Sequence, residues 1–244
     1  MRKTVDILGV SIDSITMDDA CEKINGFLEG GETRTVFTPN SEIIMAAQRD
    51  KTLKDILNSG DLVVADGAGV VLASSILGEK VPAKVSGIDI IRKLFADANP
   101  FVSFFLLGAK PGVAELAEQK LIQAHPGINI AGTHHGYFDE KEEDLIIAEI
   151  NDSGANVLLV ALGASKQEKW INENKSKLKA KVCIGVGGSL DVFAGKARLA
   201  PEFIRKAGFE WLYRLIKEPR RFKRMLDLPR FMFQILKAKY KRRR

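Results

Sequence analysis

Short apolar runs alternate along the chain with longer stretches whose apolar positions recur at helical spacing. The runs Val5–Val10, Thr35–Thr38, Leu62–Ala65, Val102–Leu107, Ile128–Thr133, Val157–Ala161 and Val182–Val186 predict strands. Between them, Met17–Leu28, Ser41–Leu57, Gly69–Leu77, Ile88–Ala98, Gly112–Ala124, Lys141–Asn151 and Lys166–Leu178 predict helices with a wet and a dry face. Strands that are apolar throughout and separated by helices form a parallel sheet covered on both faces. The pattern therefore predicts an α/β fold, Rossmann-like and mostly parallel, over residues 1–200.

After Pro201 the pattern changes. Glu202–Lys217, Arg220–Leu228 and Arg230–Arg244 read as three short helices separated by Pro219 and Pro229, since proline suits a helix start and cannot continue a preceding helix. Their apolar positions, among them Phe209, Trp211, Phe222, Phe231 and Phe233, are interleaved with Lys and Arg. Residues 201–244 form the second predicted unit, a basic amphipathic helical appendage.

Charge sharpens that division. The 244 residues carry a net charge of +6, yet residues 201–244 alone hold 15 Lys/Arg against 4 Asp/Glu, leaving the first 200 mildly acidic. A basic, aromatic-rich end meets something anionic. An anionic membrane face is favoured, because each cation near such a surface contributes roughly 1 kcal/mol. A helical bundle packed on the body with a solvated charged face is the bland alternative. Nucleic acid is not expected as a partner, because no reading motif accompanies the charge. Composition is ordinary for a globular chain, and no apolar segment reaches the ~18 residues of a spanning helix. Cys21 and Cys183 read as buried thiols of a reducing compartment, and no export signal is visible, so the expected location is cytoplasmic.

In a sheet of this kind the ligand lies where strands turn into helices. Those turns are Thr38-Pro39-Asn40, Asp66-Gly67-Ala68-Gly69, Gly108-Ala109-Lys110-Pro111-Gly112, Gly136-Tyr137-Phe138, Gly163-Ala164-Ser165-Lys166-Gln167-Glu168 and Gly185-Val186-Gly187-Gly188-Ser189. Six such turns, five of them bearing glycine, favour a nucleotide or sugar-nucleotide pocket over glycines that merely serve turns. Asp66 stands at a strand's carboxyl end beside glycine, which suits a general base. Ser165 with Glu168 has the spacing of a capping box, as do Asp139 and Glu142, while Gln167 is not required by any cap. Asn40 and Thr38 read equally well as cap and strand end or as ligand contacts. Arg221 and Arg224, three apart, would share a helix face fit for a diphosphate.

Other chemistries fit less well. His125, His134 and His135 lack partners at zinc spacing, and neither a Gly-x-Ser-x-Gly elbow nor a Walker motif is present. No Gly-x-Gly-x-x-Gly follows the first strand, and there is no Asp-x-Asp pair to hold a metal under a sugar diphosphate. Neither a metal nor a cofactor is expected.

The ordered segments Thr38-Pro39-Asn40, Asp66-Gly67, Val85-Ser86-Gly87-Ile88-Asp89, Gly136-Tyr137-Phe138, Lys166-Gln167-Glu168-Lys169-Trp170-Ile171, Gly185–Asp191 and Glu210–Leu215 with Glu218-Pro219 and Arg221 resemble the WecG/TagA/CpsF family of bacterial glycosyltransferases. The resemblance spans nearly the whole chain. It implies inverting, metal-independent transfer of N-acetylmannosamine from UDP-N-acetylmannosamine to N-acetylglucosamine on undecaprenyl diphosphate, the linkage disaccharide of wall teichoic acid. By the same resemblance Asp66 is the base, and Thr38, Asn40 and Gln167 position a substrate. Arg214, Arg221 and Arg224 hold phosphates, and Lys84 makes a weaker phosphate contact where an arginine is common. The chain departs from the family pattern at Ala65, Lys84, Ser165 and Leu199. A uronic acid form of the donor and a non-catalytic, membrane-attached anion-binding module are the competing readings. The sequence does not fix the oligomeric state, and a homo-oligomer is compatible with it.

Overall fold

The computed structural model describes residues 2–97, 101–217 and 222–242, excepting the side chains of Lys206, Arg214, Lys223 and Arg224. The chain opens differently from the expected first strand. Leu8 and Gly9 both take positive φ (56° and 82°), the two-residue reversal whose twist matches a hairpin. Strands β1 (Thr4–Ile7) and β2 (Val10–Asp13) therefore pair antiparallel, as a two-stranded sheet of their own. Their alternate residues Val5, Ile7, Val10 and Ile12 are buried.

Helix α1 (Met17–Leu28) follows, started by a Thr16–Asp19 capping box. Strand β3 (Arg34–Phe37) leads into α2 (Ser41–Arg49) and α3 (Lys51–Ser59). One helix was expected over the last two. Asp50 is extended there (φ −129°, ψ 101°) and caps α3 by accepting from the Leu53 N–H, so the helix breaks. Next come β4 (Leu62–Val63), α4 (Ala68–Leu77), α5 (Gly87–Ala96), β5 (Ser103–Gly108), α6 (Val113–Ala124), β6 (Asn129–His134) and α7 (Glu140–Asp152). The Asp139–Glu142 capping box forms at α7 as its spacing predicts. Strand β7 (Val157–Ala161), α8 (Lys166–Asn174), β8 (Val182–Gly185) and the short α9 (Ser189–Phe193) complete the body.

The six strands β3–β8 form one all-parallel sheet in the order β4-β3-β8-β7-β5-β6. Each central strand feeds two cores. On β7, Leu158 and Val160 enter one core with β1, β2, α2, α3 and α8, while Val157, Leu159 and Ala161 enter the other with α1, α5, α6 and α9. The expected α/β sheet with helices on both faces is what the chain forms. Cys21 and Cys183 are buried free thiols, and burial pushes the Cys183 thiol up to about 12.

Beyond Pro201 four helices are described: α10 (Glu202–Lys206), α11 (Glu210–Lys217), α12 (Phe222–Met225) and α13 (Asp227–Arg242). The expected single helix over Glu202–Lys217 is interrupted at Gly208, whose φ of 80° is a helix-ending conformation. Pro229 lies in the first turn of α13 instead of before it, a position where its missing N–H is not needed. Helix α13 packs across α2 and α4. Its Phe231 and Ile235 are fully buried in the same core as the hairpin, and Asp227 takes a two-pronged ion pair from Arg49 at 2.9 and 3.1 Å.

Candidate active site

All six loops at the carboxyl ends of the sheet open into one cleft of about 1060 Å³. Of the eight residues singled out from the sequence, Thr38, Asn40, Asp66, Lys84 and Gln167 line it. Arg221 lies outside the described residues, as do the side chains of Arg214 and Arg224 and the Glu218-Pro219 segment.

Asp66 is placed by backbone. Its N–H donates to the Pro39 carbonyl (3.2 Å), and the preceding Ala65 carbonyl accepts from the Val85 N–H (3.0 Å). Three loops are thereby stitched together at the end of β4. Gly67 follows with φ 102°, a backbone that admits glycine readily, and turns the chain sharply into α4. The Asp66 side chain stands half-buried at the cleft wall.

The polar neighbours are partly engaged with the protein itself. Thr38 Oγ1 donates to the Gly185 carbonyl at 3.2 Å, tying β3 to β8. Asn40 Oδ1 accepts from the Ile43 N–H at 3.0 Å and caps α2, which leaves its two Nδ2 protons for other work. Gln167 is buried between two partners: its Nε2 donates to Glu168 Oε1 (2.9 Å), and its Oε1 accepts from the Gly187 N–H (2.9 Å). Lys84 Nζ lies 3.0 Å from Glu210 Oε2 on α11. The expected phosphate contact of Lys84 thus competes with a carboxylate.

Anion binding has a backbone source. Helices α4 and α8 both begin at the cleft, and neither N-cap residue makes a side-chain capping bond. The Val70 N–H turns back to the Gly67 carbonyl and the Gln167 N–H to the Gly163 carbonyl, so the Ala68, Gly69 and Lys166 N–H groups are the ones left at the positive ends of the two helix dipoles. The Ser165–Glu168 capping box does not form as expected. Ser165 takes φ 68°, whereas a capping residue must be extended to aim its hydroxyl at the first turn. Glu168 is instead fully buried, and burial pushes its carboxyl up from the ordinary range, with hydrogen bonds from Gln167 and from the Glu168 and Ser165 N–H groups acting the other way.

The sequence reading missed Arg205 and gave Asp89 no role. Arg205 Nη2 reaches Asp89 Oδ1 at 3.2 Å, and Ser86 Oγ donates to Asp89 Oδ2 at 2.5 Å, so α10 is pinned to the start of α5. Arg205 lines the cleft, and its buried Nε has no hydrogen-bond partner. Its position among many basic residues after Pro201 gave no sign that it faces inward.

The sequence that builds this cleft has counterparts among known proteins. The chain matches the glycosyl transferase WecG/TagA/CpsF family over residues 5–244. It belongs to that family. It is also 38% identical over 240 residues to the N-acetylglucosaminyldiphosphoundecaprenol N-acetyl-beta-D-mannosaminyltransferase of Staphylococcus aureus strain MRSA252, covering 97% of this chain and 94% of that protein. The protein of the same name from strain MW2 is 37% identical with the same coverage. Ser165, where the resemblance leads one to expect a proline, takes a φ of 68° that a proline ring forbids. Among the described residues no group of three His, Cys, Asp or Glu side chains is placed to hold a metal ion, and no helix is long and apolar enough to cross a membrane.

Proposed function

We propose that this glycosyltransferase moves N-acetylmannosamine from UDP-N-acetylmannosamine to the 4-hydroxyl of N-acetylglucosamine on undecaprenyl diphosphate, with inversion and without a metal ion. The relatives' name supports the donor and acceptor, and the observation that carries the chemistry is Asp66 at the end of β4 within the cleft. In this reading Asp66 takes the proton of the acceptor hydroxyl. The hydroxyl oxygen bonds to the anomeric carbon from the face opposite UDP. The bond from that carbon to the diphosphate oxygen breaks, and UDP departs with the electron pair. The Ala68, Gly69 and Lys166 N–H groups at the starts of α4 and α8 and the cations of the cleft then meet the charge that develops on UDP. Thr38, Asn40 and Gln167 position the substrates, and Arg214, Arg221 and Arg224 hold phosphates when the C-terminal helices are in place. The exposed Phe203, Phe209, Ile216 and Phe222 among basic residues suit the cytoplasmic membrane face, where the lipid acceptor resides.

A second reading keeps the fold and changes the donor to its uronic acid form. Arg198 lines the cleft with no ion-pair partner among the described residues, and a donor carboxylate would complement it.

The test is UDP release from each donor, with and without the lipid-linked acceptor, in EDTA, for wild type and Asp66→Asn. The expected result is acceptor-dependent release from UDP-N-acetylmannosamine that survives EDTA and falls by about 10²–10⁴-fold in the variant. Loss of release in EDTA removes the metal-free mechanism. Release only from the uronate donor favours the second reading, and full activity in Asp66→Asn removes the assigned base.

A further inference from the structure

Among the described residues, Glu168 is the one fully buried carboxyl beside the cleft that the proposed chemistry does not use. Its side chain is fully shielded from solvent. Oε1 accepts from Gln167 Nε2 at 2.9 Å, and burial outweighs this bond and the contacts of the Glu168 and Ser165 N–H groups; Oε2 makes no hydrogen bond, and among the described residues no lysine or arginine lies within salt-bridge distance. The elements packed on α8 bring no compensating charge: β7 has no ionisable side chain, and β8 has only Cys183. Strand β3 has only Arg34, at the end away from the cleft and paired with Asp61 and Glu32. Helix α3 carries Lys51 and Asp55, which face each other, and Lys54, which bonds Gln48. On α8 itself Lys169 is paired with Asp50. A carboxylate in such surroundings carries an unpaired charge out of water, which the neutral acid avoids.

The carboxyl is also the end of a relay. Glu168 receives the Gln167 amide, and Gln167 Oε1 in turn receives the N–H of Gly187, a residue of the cleft wall. The relay is packed tightly: a Cβ on Gly185 would meet Gln167 Nε2 at 2.8 Å. Because Glu168 Oε1 and the Gly187 N–H demand opposite ends of the amide, they fix which way Gln167 faces. A charge at Glu168 would also sit just behind a wall that has to accept a diphosphate.

We infer that Glu168 is a positioning residue held as the neutral carboxylic acid, which sets the orientation of Gln167 and through it the Gly187 peptide in the wall of the cleft. The functional consequence rests on the proposed glycosyl transfer, but the structural one does not. Two measurements on the ligand-free protein address the structural part. The infrared spectrum of wild type at neutral pH is expected to show a carboxylic acid carbonyl band that Glu168→Gln lacks. The Gly187 amide signal in a ¹H–¹⁵N spectrum is expected to stay in place in Glu168→Gln and to move in Glu168→Ala. On turnover, Glu168→Gln should retain donor KM and kcat, whereas Glu168→Ala should raise donor KM by about tenfold or more with a smaller change in kcat. Absence of the acid band, or a Gly187 signal indifferent to both variants, overturns the inference whatever the donor proves to be. Equal damage from Gln and Ala at position 168 also overturns it. A protein that shows the band and the Gly187 response but releases no UDP instead indicts the assigned reaction.

Discussion

Strand β7 buries all five of its residues, alternate side chains entering opposite cores, whereas α13 commits only Asp227, Phe231 and Ile235 of its sixteen residues to the interior. The helices before α13 contribute still less, leaving Phe203, Phe209, Ile216 and Phe222 largely exposed. Ion pairs make up part of the attachment: Arg49 to Asp227, Arg205 to Asp89, Lys84 to Glu210, and Arg242 to Asp6 and Glu79. The two walls of the cleft therefore differ in kind. The wall made by sheet loops shares the global stability of the fold. The wall made by residues after Pro201 hangs on a few apolar anchors and on charges, and regions held so open locally. Where the acceptor is a lipid, a wall that opens separately is a physical advantage.

The largest test of this contrast removes an anchor from each side. Phe231→Ala and Phe105→Ala each delete a fully buried ring, a loss of about 3–5 kcal/mol. In Phe105→Ala the whole protein should become less stable to denaturant. In Phe231→Ala, native-state hydrogen exchange should show α13 opening while β5 and β7 keep their protection. Equal loss of protection in β7 would make the two walls one cooperative unit and end the distinction.

Two smaller tests use pH, with opposite signs. Burial raises the Glu168 pKa in the fold, so its contribution is complete below the ordinary glutamate range and is lost as pH rises toward the raised value. Glu168→Gln should therefore be the more stable protein at neutral and alkaline pH, on the order of 1–3 kcal/mol, with the difference vanishing in acid. Asp227 is the reverse case. The hydrogen bond and charge of Arg49 hold its pKa down, so the pair is fully effective at neutral pH and fails as pH falls through the ordinary aspartate range into the lowered one. Asp227→Asn should loosen α13 by about 1 kcal/mol at neutral pH, a modest figure because Arg49 is half exposed. The loss, followed by thermal melts across pH, should shrink in acid.

The same contrast decides what could be read from the sequence. Strands β5, β7 and β8 are buried on both faces and announce themselves, and the turn after each strand marks the cleft. Asp66 was legible because its place at a strand's end follows from the run Leu62–Ala65. The hairpin was not, because Val5–Val10 reads as one apolar run unless the positive φ of Leu8 is known. Glu168 was misread for a similar reason: the capping-box spacing is right, but the backbone at Ser165 is not extended. Lys84 and Arg205 show the remaining gap. A chain of alternating cations and aromatics says that a surface meets anions, yet which cation turns inward depends on carboxylates such as Glu210 and Asp89, brought near only by folding.

The smallest expected effect addresses Lys84, where the two walls touch. Its ammonium and the Glu210 carboxylate are each about four-fifths buried and 3.0 Å apart, so the pair both fastens α11 and occupies a cation that the proposed reaction would offer to a phosphate. These roles separate in a double-mutant cycle of Lys84→Ala and Glu210→Ala. For attachment, read as protease susceptibility of residues 206–217, the coupling should be about 0.5–1 kcal/mol, with each single variant nearly as loosened as the double. For donor KM the singles should part company. Lys84→Ala removes a phosphate contact and raises KM, while Glu210→Ala releases the lysine and leaves KM level or lower. If both singles raise KM equally, Lys84 acts only as a fastener, and the diphosphate is met by the N–H groups of α4 and α8 and by cations other than this one.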